Sequence, residues 1–452
     1  MNPYLPHTKE DLTEMLKTVG FANTEQLFED IPDSIRLKQR LNIPSGVSEY
    51  EAYNNLAELA GRNQHEGVSF LGFGCYDHIV PSVVSHCIGR AEFYTAYTPY
   101  QAEISQGILQ AIFEFQTLIC MLTELDVSNA SLYDGHTAAS EAAIMALNIK
   151  RKSDTILYSS TIHPSTKAVL HTYFYGTDIT LKELPEENGV TSFSGLKDML
   201  TSETAGVIVQ SPNVYGYLED YSGFADVVHE SKALFILSSN PLSLSVAKSQ
   251  GEWGADIAIG DTQPLGLPQY YGGPSVGYIA AREKLLRKMP GRIVGQTEDQ
   301  DGDRAFVLTL QAREQHIKRE RATSNICSNQ ALAALANSVY LSTVGPAGLR
   351  KAGELNVEKS HYLYERLISE LPVKPYHEQQ FFNEFTVVLP KESETVVQEM
   401  ASKNVFAGVP IHRYGAAAGA SDRQNLLTVA VTEKRTREEM ERYIETMKES
   451  LS

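Results

Sequence analysis

The sequence predicts an α/β fold, with a large domain on a mainly parallel sheet, a small α+β domain behind it and a helical arm in front. Three observations predict it. Short β-branched runs at Thr155 to Tyr158, Val207 to Gln210, Leu234 to Leu237 and Ile257 to Ile259 alternate with segments of helical character. Strands spaced by helices require crossover connections and hence parallel pairing. After the stretch TVGPAGLRKAGE, beyond residue 345, the pattern changes to strand, helix, strand, helix. The first 60 residues carry helix start signals without the makings of a core. The expected domains are therefore an arm over 1–60, the large domain over 61–345 and the small domain over 346–452.

In the arm, Thr8 with Asp11 and Ser48 with Glu51 both have the spacing of a capping box, so each opens a short helix. From Gln106 to Leu125, QGILQAIFEFQTLICMLTEL, apolar residues recur at three and four and continue almost all round. That pattern predicts a helix buried on most of its surface. In the small domain the predicted elements are a strand over Phe385 to Leu389, a helix over Thr395 to Lys403 and a strand over Leu427 to Val431. A last helix opens with the capping pair Thr436 and Glu439. A cleft between two lobes is the default place for a ligand.

Composition narrows the partners. The chain of 452 residues has 39 Lys plus Arg against 56 Asp plus Glu, a net charge of −17, which opposes binding to nucleic acid or to an anionic membrane surface. Cys75, Cys87, Cys120 and Cys327 are far apart and form no CxxC pair, a pattern that suits reduced thiols in the cytosol. The start, MNPYLPHTKEDLTEML, lacks the basic and apolar regions of a signal peptide, and there is no run of about 18 apolar residues. The expected location is cytoplasmic, with no metal site.

Residues 255–281, ADIAIGDTQPLGLPQYYGGPSVGYIAA, have the outline of a cofactor-lysine segment without the lysine. In enzymes that use pyridoxal phosphate a lysine commonly follows such a first strand and anchors the cofactor covalently. Here Asp261, Thr262, Gln263 and Pro264 follow it. The glycine turn and helix start around Gly135 could receive a phosphate, or could simply be well capped. His163, between a strand and a proline, could stack on a pyridine ring or be structural. Asn240 ends an apolar strand where a pyridoxal enzyme normally presents a carboxylate to the ring nitrogen; by itself it reads as an Asx turn.

Two further segments carry polar chemistry. EFYTAYTPYQAEISQG places Tyr94, Thr95, Tyr97, Thr98, Tyr100 and Gln101 together. Clustered phenols and hydroxyls are costly to bury unsatisfied, which places them at a surface, an interface or a polar site. QAREQHIKRERATSNICSNQAL mixes Arg313, His316, Lys318, Arg319 and Arg321 with acids and then offers Thr323, Ser324 and Asn325. It is either a solvated helix face or a cationic rim for an anionic group.

Taken together, FLGFGCYDHIVP, YTAYTPYQAEISQG, ASLYDGHTAASEA, IHPSTKAVL, GADIAIGDTQ, GGPSVGYIA, MPGRIVGQT and REQHIKRERATSNIC resemble the glycine-decarboxylating P-protein of the glycine cleavage system. The resemblance is to the chains that form its N-terminal half where it is encoded as two polypeptides. It spans nearly the whole sequence and implies a fold-type-I pyridoxal-phosphate transferase architecture. It also implies a division of labour, in which a homologous second subunit carries the cofactor lysine. In this chain Gln263 stands in the lysine's place and Asn240 in that of the ring-nitrogen carboxylate. The implied reaction is decarboxylation of glycine with transfer of the aminomethyl group to the lipoyl arm of H-protein, in a complex with two copies of each subunit. The resemblance assigns Tyr94, Thr95, Tyr97, Thr98, Tyr100, Gln101 and Arg319 to the junction with the partner's site. Thr323, Ser324 and Asn325 would lie near the cofactor. Two rival readings follow from the same residues: a self-sufficient pyridoxal enzyme using Lys248, and a non-catalytic structural or regulatory subunit of the same complex.

Overall fold

The computed structural model describes residues 4–39, 41–63, 66–270, 272–322, 324, 326, 328–414 and 423–452. The chain divides into two compact units, Met1–His65 and Glu66–Ser452.

The first unit holds the helices Lys9–Thr18 and Glu49–Gly61, each opened by the expected capping box. The Thr8 hydroxyl accepts from Asp11 N at 3.2 Å while the Asp11 carboxylate accepts from Thr8 N at 2.7 Å. Among the unit's described apolar side chains only Leu16 is buried. Its helices therefore draw on caps more than on a core.

The second unit is built on a seven-stranded sheet ordered Val127–Ser128, Gly277–Ala281, Ile257–Asp261, Leu234–Ser238, Thr204–Gln210, Thr155–Ser159 and Thr180–Leu184. Every pair is parallel except those made by Gly277–Ala281, which runs antiparallel to both neighbours. The period of two along a strand divides the side chains between faces. Ile156, Ile208, Ile236 and Ile257 pack with Ala138, Ala142 and Ala146 of the helix Gly135–Ile149. Leu157, Val207, Val209, Phe235 and Leu237 pack on the other face with Phe224 and Val228 of the helix Phe224–Glu230. Helices on both faces make the strands continuously apolar, which is why the sequence shows them as β-branched runs. The strand Thr180–Leu184, TLKEL, lies at the sheet edge with mostly exposed side chains and carries no such signal.

The helix Gln106–Thr123 forms and is covered on most of its surface. Leu109, Ile112, Phe115, Gln116, Ile119 and Thr123 form one covered stripe, while Met121 is 68% exposed. Ile108, Ala111 and Ile112 line an open cleft, which accounts for part of the surplus of apolar residues.

The helix Ala331–Glu370 breaks at Gly345, where φ is 59°, ahead of Pro346. It leads to a four-stranded antiparallel sheet ordered Lys374–Pro375, Glu384–Val388, Leu426–Ala430 and Val409–Pro410. The helices Ser393–Ala401 and Arg437–Leu451 cover it, the latter opened by the Thr436 and Glu439 capping box. Val387, Leu427, Val429, Val396, Met400, Tyr443 and Met447 share this second core. No helix of the described residues is long and apolar enough to cross a membrane.

Candidate functional site

Three neighbouring parallel strands end at Gln210, Ser238 and Asp261, and all three residues line one cavity of about 100 Å3. Ligands of open α/β sheets bind at this end of the strands. Phe73, Tyr76, His136, His163, Asn240 and Glu384 are also among the lining residues. This is the crevice in which the resemblance would place pyridoxal phosphate.

The residues present do not fit that group. At the start of the helix Gly135–Ile149, Asp134 accepts from Thr137 N at 2.7 Å and Asp261 accepts from Gly135 N at 3.0 Å. Asp261 also accepts from Gln263 N at 2.9 Å and from the Ser275 hydroxyl. Asp134 and Asp261 thus already occupy the Thr137 and Gly135 N–H donors that a phosphate at this helix start would need. His163 accepts from Ser165 N at Nδ1, which leaves Nε2 to donate to Phe73 O at 3.1 Å. Its ring already packs against Phe73, 4.6 Å between centres, and against His136, 4.9 Å with the planes 28° apart. Burial, and then neighbouring His136, hold His163 down to about 3, so it is neutral. The remaining volume is well below the roughly 300 Å3 at which small-molecule sites begin.

Gln263 is 3% exposed and works as a staple. Its Oε1 accepts from Tyr76 N at 2.9 Å, and its Nε2 donates to Tyr76 O at 2.9 Å and Leu267 O at 2.8 Å. From the other side Glu384 accepts from Phe73 N at 2.6 Å and from the Tyr76 hydroxyl at 3.0 Å. Together they fix the loop that carries Phe73 into the crevice, with Phe73 itself at a φ of 60°. Asn240 makes the Asx turn expected of it, accepting from Leu242 N at 3.0 Å. The described lining contains no lysine, and Lys248 lies exposed with its ammonium 4.2 Å above the Trp253 ring.

A second and larger opening, about 700 Å3, is the cleft beside the helix Gln106–Thr123. Tyr94, Tyr97 and Thr98 line it together with Phe93, Ile108, Ile112, Leu267, Arg292 and Asn329. Tyr97 is 85% exposed, so its phenol is free of the chain's own core. Thr95 closes the short helix Ala91–Tyr94 by donating from its hydroxyl to Ala91 O at 2.7 Å, and it does not line the cleft. Gln101 is exposed and also lies off the lining. Tyr100 accepts from Arg292 Nη2 at 3.2 Å. Of the second cluster, Arg319 is exposed at a φ of 55° and is not among the residues around either opening. Ser324 lines a small cavity next to Arg292 and Glu314. Thr323 and Asn325 lie outside the described residues.

The cleft thus gathers Tyr94, Tyr97 and Thr98, while Arg319 stands apart from them. Sequence reasoning passed over Arg292, Glu384 and Phe73. Arg292 had one signal, a cation directly after a Pro-Gly turn at the start of a strand. Phe73 had none, because its place depends on packing against residues 90 positions away in sequence.

The similarities to known proteins extend over nearly the whole chain. The family profile described as glycine cleavage system P-protein matches residues 2–447. The chain is 48% identical over 446 residues to a probable glycine dehydrogenase (decarboxylating) subunit 1 of Carboxydothermus hydrogenoformans, covering 98% of this chain and 99% of the relative. It is 47% identical to the protein of the same name from Geobacillus kaustophilus, covering 98% of each. Among solved structures it is similar to a glycine decarboxylase (P-protein) of the glycine cleavage system in inhibitor-bound form, with a TM-score of 0.90 and 42% identity over 99% of this chain and all of the other. A sphingosine-1-phosphate lyase of Burkholderia pseudomallei shares the fold alone, at a TM-score of 0.68 and 12% identity over 93% of this chain and 94% of the other. The architecture is that of the fold-type-I pyridoxal-phosphate enzymes, as the sequence predicted. With matches this long at this identity, the chain belongs to the glycine cleavage system P-protein family.

Proposed function

We propose that this chain is the lysine-free subunit of a two-subunit glycine dehydrogenase (decarboxylating), working only with a homologous lysine-bearing partner. The observation that carries this reading is Gln263. By the resemblance it stands in the anchor position; it cannot form an imine, and it spends its amide on Tyr76 and Leu267 backbone groups. The filled crevice around it supports the same division, because a subunit equipped for its own chemistry would keep that space open.

In this reading the complex holds two copies of each subunit, and pyridoxal phosphate on the partner supplies the electron sink for loss of carbon dioxide from glycine. This chain walls that site with its tyrosine and threonine segment, Tyr94 to Gln101. Exposed phenols such as Tyr97 offer donors to a developing charge, and the partner seated on the 700 Å3 cleft would be what excludes water around them. Arg319, with Thr323, Ser324 and Asn325, supplies positive charge and donors toward a carboxylate or phosphate. The lipoyl arm of H-protein takes up the aminomethyl product.

The test is reconstitution. Coexpressed with a lysine-bearing subunit, the chain should sediment as one complex that exchanges carbon dioxide with glycine. A chain that stays apart from that subunit at micromolar concentration, or that exchanges carbon dioxide alone, overturns the proposal.

A further inference from the structure

Two segments that the sequence presents as separate clusters meet on a residue belonging to neither. Arg292 follows the Pro290–Gly291 turn and leads into the strand Ile293–Glu298. It is 7% exposed. Its Nη2 donates to the Tyr100 hydroxyl at 3.2 Å, with its guanidinium carbon 5.5 Å from the centre of that ring. Its Nε lies 3.7 Å from Glu314 Oε2. The same carboxylate oxygen is 3.6 Å from His316 Nδ1, and His316 meets Tyr100 edge to face at 5.5 Å. Arg313 holds the turn beneath, donating to the carbonyls of Met289 and Gly291.

We propose that Arg292 is a positioning residue for the reaction, setting the place of Tyr100 and, through it, of the tyrosine and threonine segment in the cleft. This rests on the reading of the chain as a subunit that completes its partner's site. Three physical points carry it. A buried Arg–Glu pair is a poor source of stability compared with apolar residues of the same volume, so its value here is geometric. Arg292 also lines the same cleft as Tyr94 and Tyr97. Because Tyr100 accepts from Arg292, its own hydrogen remains to be donated elsewhere, and the planar fork fixes the direction in which the phenol points.

The experiment uses the coexpressed complex with Arg292→Gln, Tyr100→Phe and the double variant. It reads kcat and KM for glycine-dependent carbon dioxide exchange, with sedimentation and cofactor absorbance alongside. Each single variant should lower kcat by about a hundredfold, the scale of a misplaced reacting group, while complex size and absorbance stay unchanged. Adding Tyr100→Phe to Arg292→Gln should cost less than about twofold more, because the two act as one unit. If Arg292→Gln does not assemble, Arg292→Lys carries the same expectation, since it keeps a charge toward Glu314 but loses the second donor toward Tyr100. Wild-type kcat in an assembled Arg292 variant, or losses that multiply in the double variant, overturn the assignment. A wild-type complex without activity on glycine overturns the functional reading, and this assignment with it.

Discussion

The side-chain amide of Gln263 pairs with the backbone of Tyr76 in both directions, accepting from its N–H and donating to its carbonyl, each at 2.9 Å. An amide that completes both backbone bonds of a residue 187 positions away is part of the frame of the molecule. It fastens the loop that fills the crevice at the ends of the parallel strands.

The first expected outcome is that Gln263→Ala destabilises the chain by about 3 kcal/mol, because it leaves three buried backbone groups short of a partner. The urea midpoint of the purified chain measures this. An unchanged midpoint would show that the loop is held by Glu384 and packing alone.

Supplied with pyridoxal phosphate and treated with borohydride, the wild-type chain should yield no stoichiometric lysine adduct, and neither should Gln263→Lys. Restoring the amine does not remove Phe73 and His136 from the His163 ring or Asp261 from the helix start. Peptide mapping by mass spectrometry decides it. A full adduct at Lys248 in the wild type would instead support a self-sufficient enzyme.

In the reconstituted complex, Tyr97→Phe and Arg319→Ala should assemble normally and slow glycine decarboxylation. Loss of one preorganised polar contact to developing charge costs on the order of a hundredfold to a thousandfold, whereas loss of a surface contact should cost less than about tenfold. If every variant of Tyr94, Tyr97, Tyr100 and Arg319 assembles and reacts at the wild-type rate, the chain is a scaffold for its partner.

Glu384 gives a pH signature. Burial, opposed by the hydrogen bonds from Phe73 N and the Tyr76 hydroxyl, pushes its carboxyl up from 4.5 to about 7. The folded chain therefore keeps a proton that the unfolded chain has released. Stability from this group is full below about 4.5 and falls as pH rises to about 7, by up to roughly 3 kcal/mol, then levels off. Glu384→Gln keeps an acceptor for Phe73 N and should remove that slope, as read by denaturation across the same pH range. A slope unchanged in Glu384→Gln would assign the proton to another group.

Much of the fold was legible because burial on both faces leaves a plain mark. Thr155 to Tyr158, Val207 to Gln210, Leu234 to Leu237 and Ile257 to Ile259 all became strands of the sheet, and the capping boxes at Thr8, Ser48 and Thr436 all opened helices. Thr180–Leu184 escaped notice because an edge strand needs no apolar run. The helix Gln106–Thr123 is covered on most of its surface, as its pattern indicated, and part of its apolar face lines a cleft. At the site, Gln263 and Asn240 stood out through the frame they interrupt. The plug of Phe73 and the bridge of Arg292 did not, since each depends on meeting residues distant along the chain. Local pattern carries no trace of such meetings.

The filled crevice also bears on supply. A protein whose cofactor completes its core gains stability by mass action as that cofactor accumulates, and loses it in scarcity. Here Phe73, His136 and Asp261 line that space from within, so in the proposed division of labour the stability of this chain should not rise with added pyridoxal phosphate, which a thermal melt with and without it would read.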